Sequence, residues 1–197
     1  MVTKNFCRST RQAMRTDSPL QVDAQGLLVG GLYIASPNCD DRPPGAIDLL
    51  VIHNISLPPG EFGGDGVKRL FTNTLDATAH PYYETIAGLK VSAHFFVRRD
   101  GQIMQFVPCL KRAWHAGASC WQGVSRCNDF SLGIELEGSD EVPFTDAQYD
   151  ALTRLTMALR AAYPIRGIAG HSDIAPQRKT DPGPCFDWRR YLVGCAK

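Results

Sequence analysis

Residues 170–184 contain the side chains with the clearest capacity for chemistry in this sequence. His171 and Asp181 belong to two of the residue types that bind zinc, and Lys179 lies between them as a candidate fixed positive charge. Three prolines in the segment fix φ and remove amide donors, which argues against a regular helix or a central strand. The segment is therefore predicted to be a rigid polar loop that holds its side chains in place.

A second histidine, His53, ends a continuous apolar run over residues 48–53. Runs of this length are typical of a strand that is buried on both faces of a sheet, which implies a sheet covered by helices. At the end of such a strand a histidine is either a metal ligand or a hydrogen-bonded structural residue, and the spacing alone leaves both interpretations open.

Residues 130–137 predict another strand, in which Glu135 and Glu137 face away from the apolar residues that alternate with them. An acid inside a covered sheet costs free energy unless it is paired, so Glu135 is a candidate site residue. The alternative role for Glu135 is an ion pair with an arginine such as Arg126. Glu137 lies nearer the strand end and is expected to be solvated.

Together these residues match the requirements of a catalytic zinc site. Such a site needs three protein ligands and one open position, which His53, His171 and Asp181 would supply. Zinc lowers the pKa of a bound water to about 7, which provides a hydroxide nucleophile at neutral pH. Glu135 would then act as general base and later as acid toward a leaving amine, and Lys179 would stabilise an oxyanion.

The clearest helix signal begins at Thr145, which opens a capping box with Gln148. An apolar stripe at helical spacing follows, and Pro164 ends it. Because helices alternate with strands along the chain, the sequence predicts an α/β fold.

Two further segments have turn signals. Residues 92–107 predict a β-hairpin whose two-residue turn is Asp100 and Gly101. The glycines and prolines between residues 57 and 66 predict a mobile loop, which we interpret as a candidate lid over the site.

The composition limits the class of protein. At 197 residues, with 44% hydrophobic and 21% charged residues, the chain is expected to form one globular domain, over residues 23–197. A net charge of +1 argues against a nucleic-acid-coating protein. The sequence has no apolar run of about 18 residues, so a membrane span is not expected.

The N-terminal residues 1–22 are predicted to be a flexible extension without the apolar core of a secretory signal, and Met14 is an alternative start. The seven cysteines form no C-x-x-C pair, so free thiols in a reducing compartment are expected. These features predict a cytoplasmic protein.

Long motifs within residues 26–192 resemble the N-acetylmuramoyl-L-alanine amidase type 2 family. The motifs occupy residues 51–63, 91–94, 111–117, 126–138 and 178–183. The resemblance implies a central mixed β-sheet flanked by helices, the fold that this family shares with peptidoglycan recognition proteins. Within the family, the chain is most similar to members that act on 1,6-anhydro-N-acetylmuramyl-L-alanine in the cytoplasm during peptidoglycan recycling.

The family resemblance implies a zinc amidase that cuts the bond between the lactyl group of a muramic acid and the L-alanine of a stem peptide. It implies zinc ligands at His53, His171 and Asp181, a catalytic Glu135 and an oxyanion-stabilising Lys179. The implied partner is an anhydromuropeptide substrate, bound by a protein that we expect to be a monomer. A non-catalytic muropeptide-recognition module is the alternative, which the presence of all five residues disfavours.

The resemblance also implies substrate contacts at Asn54, Arg126 and Lys90. Lys90 occupies a position where relatives have arginine, so it keeps the charge but loses the two-pronged geometry. Trp114 is a candidate platform for a sugar face beside His115, although packing within their loop is an equal alternative. His94 is expected to pack or to form hydrogen bonds beneath the site.

Overall fold

The computed structural model describes residues 19–196. Met14 therefore lies outside the described residues, as does most of the predicted extension over residues 1–22. Within the part of that extension that is described, Leu20 and Val22 are partly buried against the main apolar core. The division of the chain into an extension and a domain stays a prediction.

The centre of the described chain is a six-stranded mixed sheet. The described chain has ten strands, six in this sheet and four outside it. In chain order they are β1 Leu32–Tyr33, β2 Cys39–Asp41, β3 Leu49–Ile55, β4 Phe95–Val97, β5 Ile103–Gln105, β6 Lys111–Ala113, β7 Cys120–Trp121, β8 Val124–Ser125, β9 Ser131–Glu137 and β10 Gly167–Gly170. The sheet order is β1-β5-β4-β9-β3-β10, and all neighbours run parallel except the antiparallel pair β4 and β5. Two small antiparallel pairs, β2 with β6 and β7 with β8, lie outside it.

Helices lie along the chain between and after these strands. They are α1 Gly66–Phe71, α2 Pro81–Thr85, α3 Asp146–Ala162, α4 His171–Ile174 and α5 Trp188–Gly194, with 3₁₀ turns at Ala77–Ala79 and Cys127–Asp129. The predicted α/β class, with a mixed central sheet and flanking helices, is confirmed. Within residues 19–196, none of the helices combines the length and the apolar composition that crossing a bilayer requires.

The continuous apolar run of β3 is explained by burial on both faces of the sheet. Leu50 and Ile52 point into the main core, together with apolar residues of β9, α3 and α5. Leu49 and Val51 point to the opposite face, into a smaller cluster that includes Ile174 of α4. Alternate residues of a strand face opposite sides, so a strand covered twice must be apolar throughout.

The predicted helix start at Thr145 is confirmed. The Thr145 side chain accepts a hydrogen bond from the backbone N–H of Gln148, and the Gln148 side chain accepts one from the backbone N–H of Thr145. The Thr145 hydroxyl also lies 2.7 Å from the carbonyl oxygen of Arg99 and donates to it. The cap therefore fixes the start of α3 and ties it to the loop between β4 and β5.

The predicted hairpin is also confirmed, but its turn was predicted wrongly. Arg98 N–H donates to Gln102 O at 2.9 Å, so the loop that they enclose has three residues rather than two. Gly101 has a φ of +85°, which suits the left-handed third position of a three-residue hairpin loop.

The prediction of an irregular loop over residues 170–184 was wrong for its first turn. His171–Ile174 form the short helix α4, and only the residues after it are irregular. The prolines permit this turn because all of them follow it in the sequence. The helical turn fixes the direction in which His171 leaves the sheet.

The expectation that Glu137 is solvated was wrong. The residue is 3% exposed, and its carboxylate accepts hydrogen bonds from the backbone N–H groups of Gly63 at 2.5 Å and Arg99 at 2.9 Å. Backbone donors satisfy the buried charge, which residue types alone did not reveal. Glu137 thus connects the glycine-rich loop to the β4–β5 hairpin, while the mobility of that loop stays a prediction.

We expect Thr145→Ala to lower the free energy of unfolding by about 1 kcal/mol, because it removes the side-chain cap of α3. In a chain of this size that loss lowers the melting temperature by roughly 2–4 °C, measurable by calorimetry. Asp150→Ala, at an exposed position on α3, is the matched control and should change the melting temperature by less. Equal effects of the two substitutions would show that the cap has no special role.

Candidate metal centre

Three neighbouring parallel strands bring the candidate site residues to one edge of the sheet. In the register of β3 with β9, His53 lies directly beside Glu135. In the register of β3 with β10, Gly170 lies beside Ile52, so His171, the next residue, begins α4 close to His53. Residues far apart in sequence converge here because the carboxyl ends of parallel strands share one edge.

The two histidines and Asp181 form a compact cluster of ligand atoms. The Nδ1 atoms of His53 and His171 are 3.0 Å apart. Asp181 Oδ2 lies 3.0 Å from the first of these nitrogens and 3.1 Å from the second. Both imidazoles are buried, with exposures of 1% and 3%, whereas the Asp181 side chain is 14% exposed.

This cluster fits a tetrahedral metal ion. Ligand atoms around a zinc ion with bonds of 2.0–2.1 Å are about 3.3 Å apart, close to the separations found for His53, His171 and Asp181. Two imidazole nitrogens and a carboxylate oxygen are also the donor types that zinc accepts in catalytic sites. Three lone-pair donors that converge in a buried place need a cation or shared protons between them.

The pKa values of the cluster favour the metal-binding forms. Burial lowers the pKa of His53 to about 4, although its contact with Asp181 acts in the opposite direction. Burial alone would raise the pKa of Asp181, but its close contacts with His171 and His53 outweigh burial and hold the pKa below its ordinary value. At neutral pH His53 is therefore neutral and Asp181 is ionised, which are the forms that coordinate metals.

Glu135 lies beside the cluster, and one of its carboxylate oxygens is buried and unpaired within the described part of the chain. The residue is 9% exposed, and among the described residues Oε2 has no hydrogen-bond partner. Burial and then the charge of Asp181 raise the pKa of Glu135 well above its ordinary value, while Lys179 lowers it. The alternative of an ion pair with Arg126 is wrong, because Arg126 is 72% exposed and its Nε bonds to Asp129 at 3.0 Å.

A cavity of about 240 Å³ opens over this edge of the sheet. The polar residues that line it include Glu135, Lys179 and Asp181, and Trp114 and His115 line it as well. Apolar residues complete the lining, among them Leu70 and Phe71 of α1 and Ile86, which follows α2. The structure therefore brings a carboxylic acid, an ammonium group and an aromatic surface together around the metal ligands.

The other predicted substrate contacts lie in different surroundings. Asn54 lines the cavity, and its amide donates to Asp140 Oδ1 at 2.7 Å and to Pro182 O at 3.1 Å. Lys90 lines an adjoining cavity of about 350 Å³, which shares Leu70, Ile86 and Leu89 with the first. Arg126 does not line the cavity over the metal ligands.

His115 lies closer to the ligands than the sequence indicated. Its Nδ1 is 3.0 Å from Nε2 of His53, and the two rings meet edge-on at 5.1 Å. A glycine in the middle of β9 makes room for it, because a Cβ at Gly133 would stand 2.4 Å from His115 Cγ. An isolated glycine inside an apolar strand indicates that another group approaches the backbone closely. Gly133 was therefore the feature of the sequence that could have indicated a side chain packed against β9.

Two more polar residues around this loop were missed. Arg178 donates from its guanidinium to the carbonyl oxygens of Ala116 at 2.6 Å and Ala118 at 2.9 Å. The side-chain oxygen of Asn128 accepts hydrogen bonds from the backbone N–H groups of His115 and Ala116. Both residues act on backbone atoms, so no spacing of residue types indicated their roles.

Comparisons with known proteins place the chain among amidases. Residues 43–184 match the protein family described as N-acetylmuramoyl-L-alanine amidase. The chain is 57% identical over 176 residues to 1,6-anhydro-N-acetylmuramyl-L-alanine amidase AmpD of Escherichia coli (strain K12), which covers 88% of this chain and 96% of that protein.

Solved structures show the same likeness. A crystal structure of a selenomethionine derivative of AmpD is similar with a TM-score of 0.85 at 56% identity, covering 88% of this chain and 98% of that one. The amidase AmiD of E. coli is similar with a TM-score of 0.55 at 31% identity, covering 89% of this chain and 65% of that one. That structure is a complex with the substrate anhydro-N-acetylmuramic acid-L-Ala-D-γ-Glu-L-Lys.

His94 lies in the buried layer beneath the ligands, and the expectation that it forms hydrogen bonds there is confirmed. Its Nδ1 accepts from the backbone N–H of Gly133 at 3.0 Å, and its Nε2 lies 3.1 Å from Lys111 O. Burial and then the charge of Arg42 lower the pKa of His94 to about 3. In the unfolded chain the imidazole has a pKa of about 6.5, so His94 is protonated at a higher pH in the unfolded chain than in the folded chain.

We expect His94 to stabilise the fold fully above about pH 6.5 and to lose that contribution as the pH falls toward its folded pKa. His94→Asn removes the titration but keeps an acceptor for Gly133. In urea unfolding of the metal-free protein, the variant should show a slope of stability against pH that is shallower by up to about 1.4 kcal/mol per pH unit, one proton.

Ile134→Val is the control for His94→Asn, since it should lower stability by about 0.5–1.5 kcal/mol without changing the slope. Parallel curves for the His94 variant and the wild type between about pH 6.5 and pH 4 would contradict the assignment of a buried neutral imidazole.

Proposed function

This chain belongs to the N-acetylmuramoyl-L-alanine amidase family, and we propose that it hydrolyses the amide between the lactyl group of 1,6-anhydro-N-acetylmuramic acid and L-alanine of the stem peptide, with zinc as cofactor. The observation that carries this proposal is the convergence of His53, His171 and Asp181 beside the free carboxylate oxygen of Glu135. The high identity to AmpD and the substrate bound in the AmiD structure support the choice of substrate.

The metal would be held by His53 Nδ1, His171 Nδ1 and Asp181 Oδ2, which leaves the cavity side open to substrate. Zinc, when bound, supplies a Lewis acid for the scissile carbonyl and lowers the pKa of water to about 7. The carboxylate of Asp181 contributes one negative charge, so a site with two neutral imidazoles keeps a net positive charge of one with the ion bound.

Glu135 would transfer the proton in this reaction. Its carboxylate, which lines the cavity, accepts a proton from the attacking water, and the same proton then passes to the amine of L-alanine as the C–N bond breaks. Burial, which raises the pKa of Glu135, makes its carboxylate a stronger base than an exposed glutamate. Its place beside His53 across the β3–β9 ladder keeps it within reach of the reacting groups.

Lys179 and Trp114 would act on the substrate itself. The ammonium group of Lys179 in the cavity wall donates to the carbonyl oxygen, where negative charge develops during attack. Trp114 in the same wall offers an aromatic face to the sugar ring. We retain Asn54, Lys90 and Arg126 as proposed substrate contacts, with Lys90 suited to a carboxylate of the stem peptide through the adjoining cavity.

The proposed activity is tested by incubating the purified protein with 1,6-anhydro-N-acetylmuramyl-tripeptide and following release of the free tripeptide by mass spectrometry. We expect release that a zinc chelator abolishes and added zinc restores. Intact substrate after incubation with zinc-loaded protein would instead favour a muropeptide-recognition module. The cytoplasmic location and the monomeric state are further proposals, which cell fractionation and sedimentation would test.

We expect Asp181→Ala to lose zinc and activity together, because two histidines alone leave the ion under-coordinated. Zinc content after dialysis, measured by mass spectrometry of the metal, should fall from about one ion per chain to near zero. Asp41→Ala, at the exposed end of β2, is the control and should keep its zinc. Full zinc retention by the Asp181 variant would remove this residue from the ligand set.

We expect Glu135→Gln to keep its zinc and to lose roughly 10²–10⁴-fold in kcat, the usual contribution of a general base. Glu137→Gln is a matched control two residues further along the same face of β9, where the carboxylate binds backbone N–H groups. It should reduce stability with little effect on kcat. If the two variants lose activity equally, Glu135 has no special part in proton transfer.

A further inference from the structure

We propose that the dipeptide His115–Ala116 is the outer hydrogen-bond support of both metal-binding histidines, and that His115 is a positioning residue of the metal centre. The proposal rests on the metal site proposed above. It goes beyond that site because it assigns a role to two residues that do not contact the ion or the reacting atoms. A metal-binding imidazole carries its one proton on the outer nitrogen, so the hydrogen-bond partner of that nitrogen fixes the tautomer.

The carbonyl group of Ala116 fixes the orientation of His171. Nε2 of His171 lies 3.1 Å from Ala116 O, and a carbonyl oxygen can only accept a hydrogen bond. Arg178 Nη2 also approaches Nε2, but at 3.5 Å, so the closer Ala116 O receives the Nε2 hydrogen, which leaves the Nδ1 lone pair free on the side of Asp181. The backbone of the loop thus selects the tautomer that a metal ion requires.

The side chain of His115 performs the same task for His53. Ser131 Oγ lies 2.6 Å from Cys127 O and donates its hydrogen there, so toward His115 Nε2, at 3.3 Å, it can act only as an acceptor. His115 Nε2 then carries the hydrogen, and His115 Nδ1 accepts from Nε2–H of His53 at 3.0 Å. His53 Nδ1 is left with a free lone pair that faces His171 and Asp181.

The dipeptide itself is rigidly held. Asn128 Oδ1 accepts from the backbone N–H of His115 at 3.2 Å and of Ala116 at 2.8 Å. The guanidinium of Arg178 donates to Ala116 O at 2.6 Å, on the same oxygen that His171 uses. The missing side chain of Gly133 provides the space in which the His115 ring lies against β9.

The expected size of the effect follows from other metal sites. Partners of the outer nitrogen of a ligating histidine fix its orientation and raise its basicity, and their removal costs roughly 10–100-fold in metal affinity. We therefore expect His115→Ala to weaken zinc binding by about 10–100-fold, measured by competition with a chromophoric chelator. The absorption spectrum of the cobalt-substituted variant should also change, because the His53 ring is no longer fixed.

Two variants serve as comparisons. His115→Asn places an amide oxygen near the position of Nδ1, so it should restore most of the zinc affinity that His115→Ala loses. His94→Asn changes a buried imidazole whose ring lies 5.7 Å from that of His115 and which bonds to Gly133 and Lys111. It should lower stability and leave zinc affinity and the cobalt spectrum unchanged.

A measurement on the unmodified protein does not depend on any variant folding. In ¹⁵N-labelled, zinc-loaded protein, long-range ¹H–¹⁵N spectra of the imidazoles should show the hydrogen on Nε2 in His53, His115 and His171. An Nδ1–H tautomer at His115 would overturn the proposal, as would wild-type zinc affinity in His115→Ala. Failure of the wild-type protein to bind zinc would instead overturn the proposed metal site, and this proposal with it.

Discussion

The parallel hydrogen-bond ladder of β3 with β9 and β10 is the constraint on which the candidate centre depends. A parallel ladder fixes which residues lie side by side, and a slip by one residue turns every side chain to the other face. The observed register places His53 beside Glu135 and starts α4 one residue after Gly170. Apolar residues that are packed on both faces of β3 make any other register costly.

The same sheet concentrates polar groups in a region where unsatisfied ones are expensive. His53, His94 and Glu137 are all nearly inaccessible to solvent, and each has hydrogen-bond partners. Most of these partners are backbone atoms or neighbouring imidazoles rather than opposite charges. Glu135 differs because its buried Oε2 has no hydrogen-bond partner among the described residues, although the residue lines the cavity, as expected where a substrate or water supplies the missing partner.

Much of this arrangement could be predicted from residue order because it follows from periodicity. The apolar run before His53, the alternation around Glu135 and the capping box at Thr145 each result from one element and its neighbours. The type of fold follows from the same local signals. The family resemblance then connected the separate segments, which spacing alone could not do.

The features that escaped prediction depend on backbone atoms that meet in three dimensions. Glu137 is buried because N–H groups of two distant loops satisfy its carboxylate. The first turn after Gly170 is helical although prolines follow closely. The carbonyl of Ala116 has no side-chain signature at all, and no spacing of residue types indicated that His115, which lines the cavity, also contacts His53.

The shared support of the two imidazoles has a thermodynamic consequence. Because His53 and His171 are both oriented by adjacent residues of one loop, disorder of that loop would release the two ligands together. Linked equilibria are reciprocal, so an ion bound to these ligands stabilises the ordered loop by the same free energy that the order adds to binding. Amide protons of His115 and Ala116, both bonded to Asn128, would therefore exchange with solvent at rates governed by the occupancy of a metal that neither residue touches.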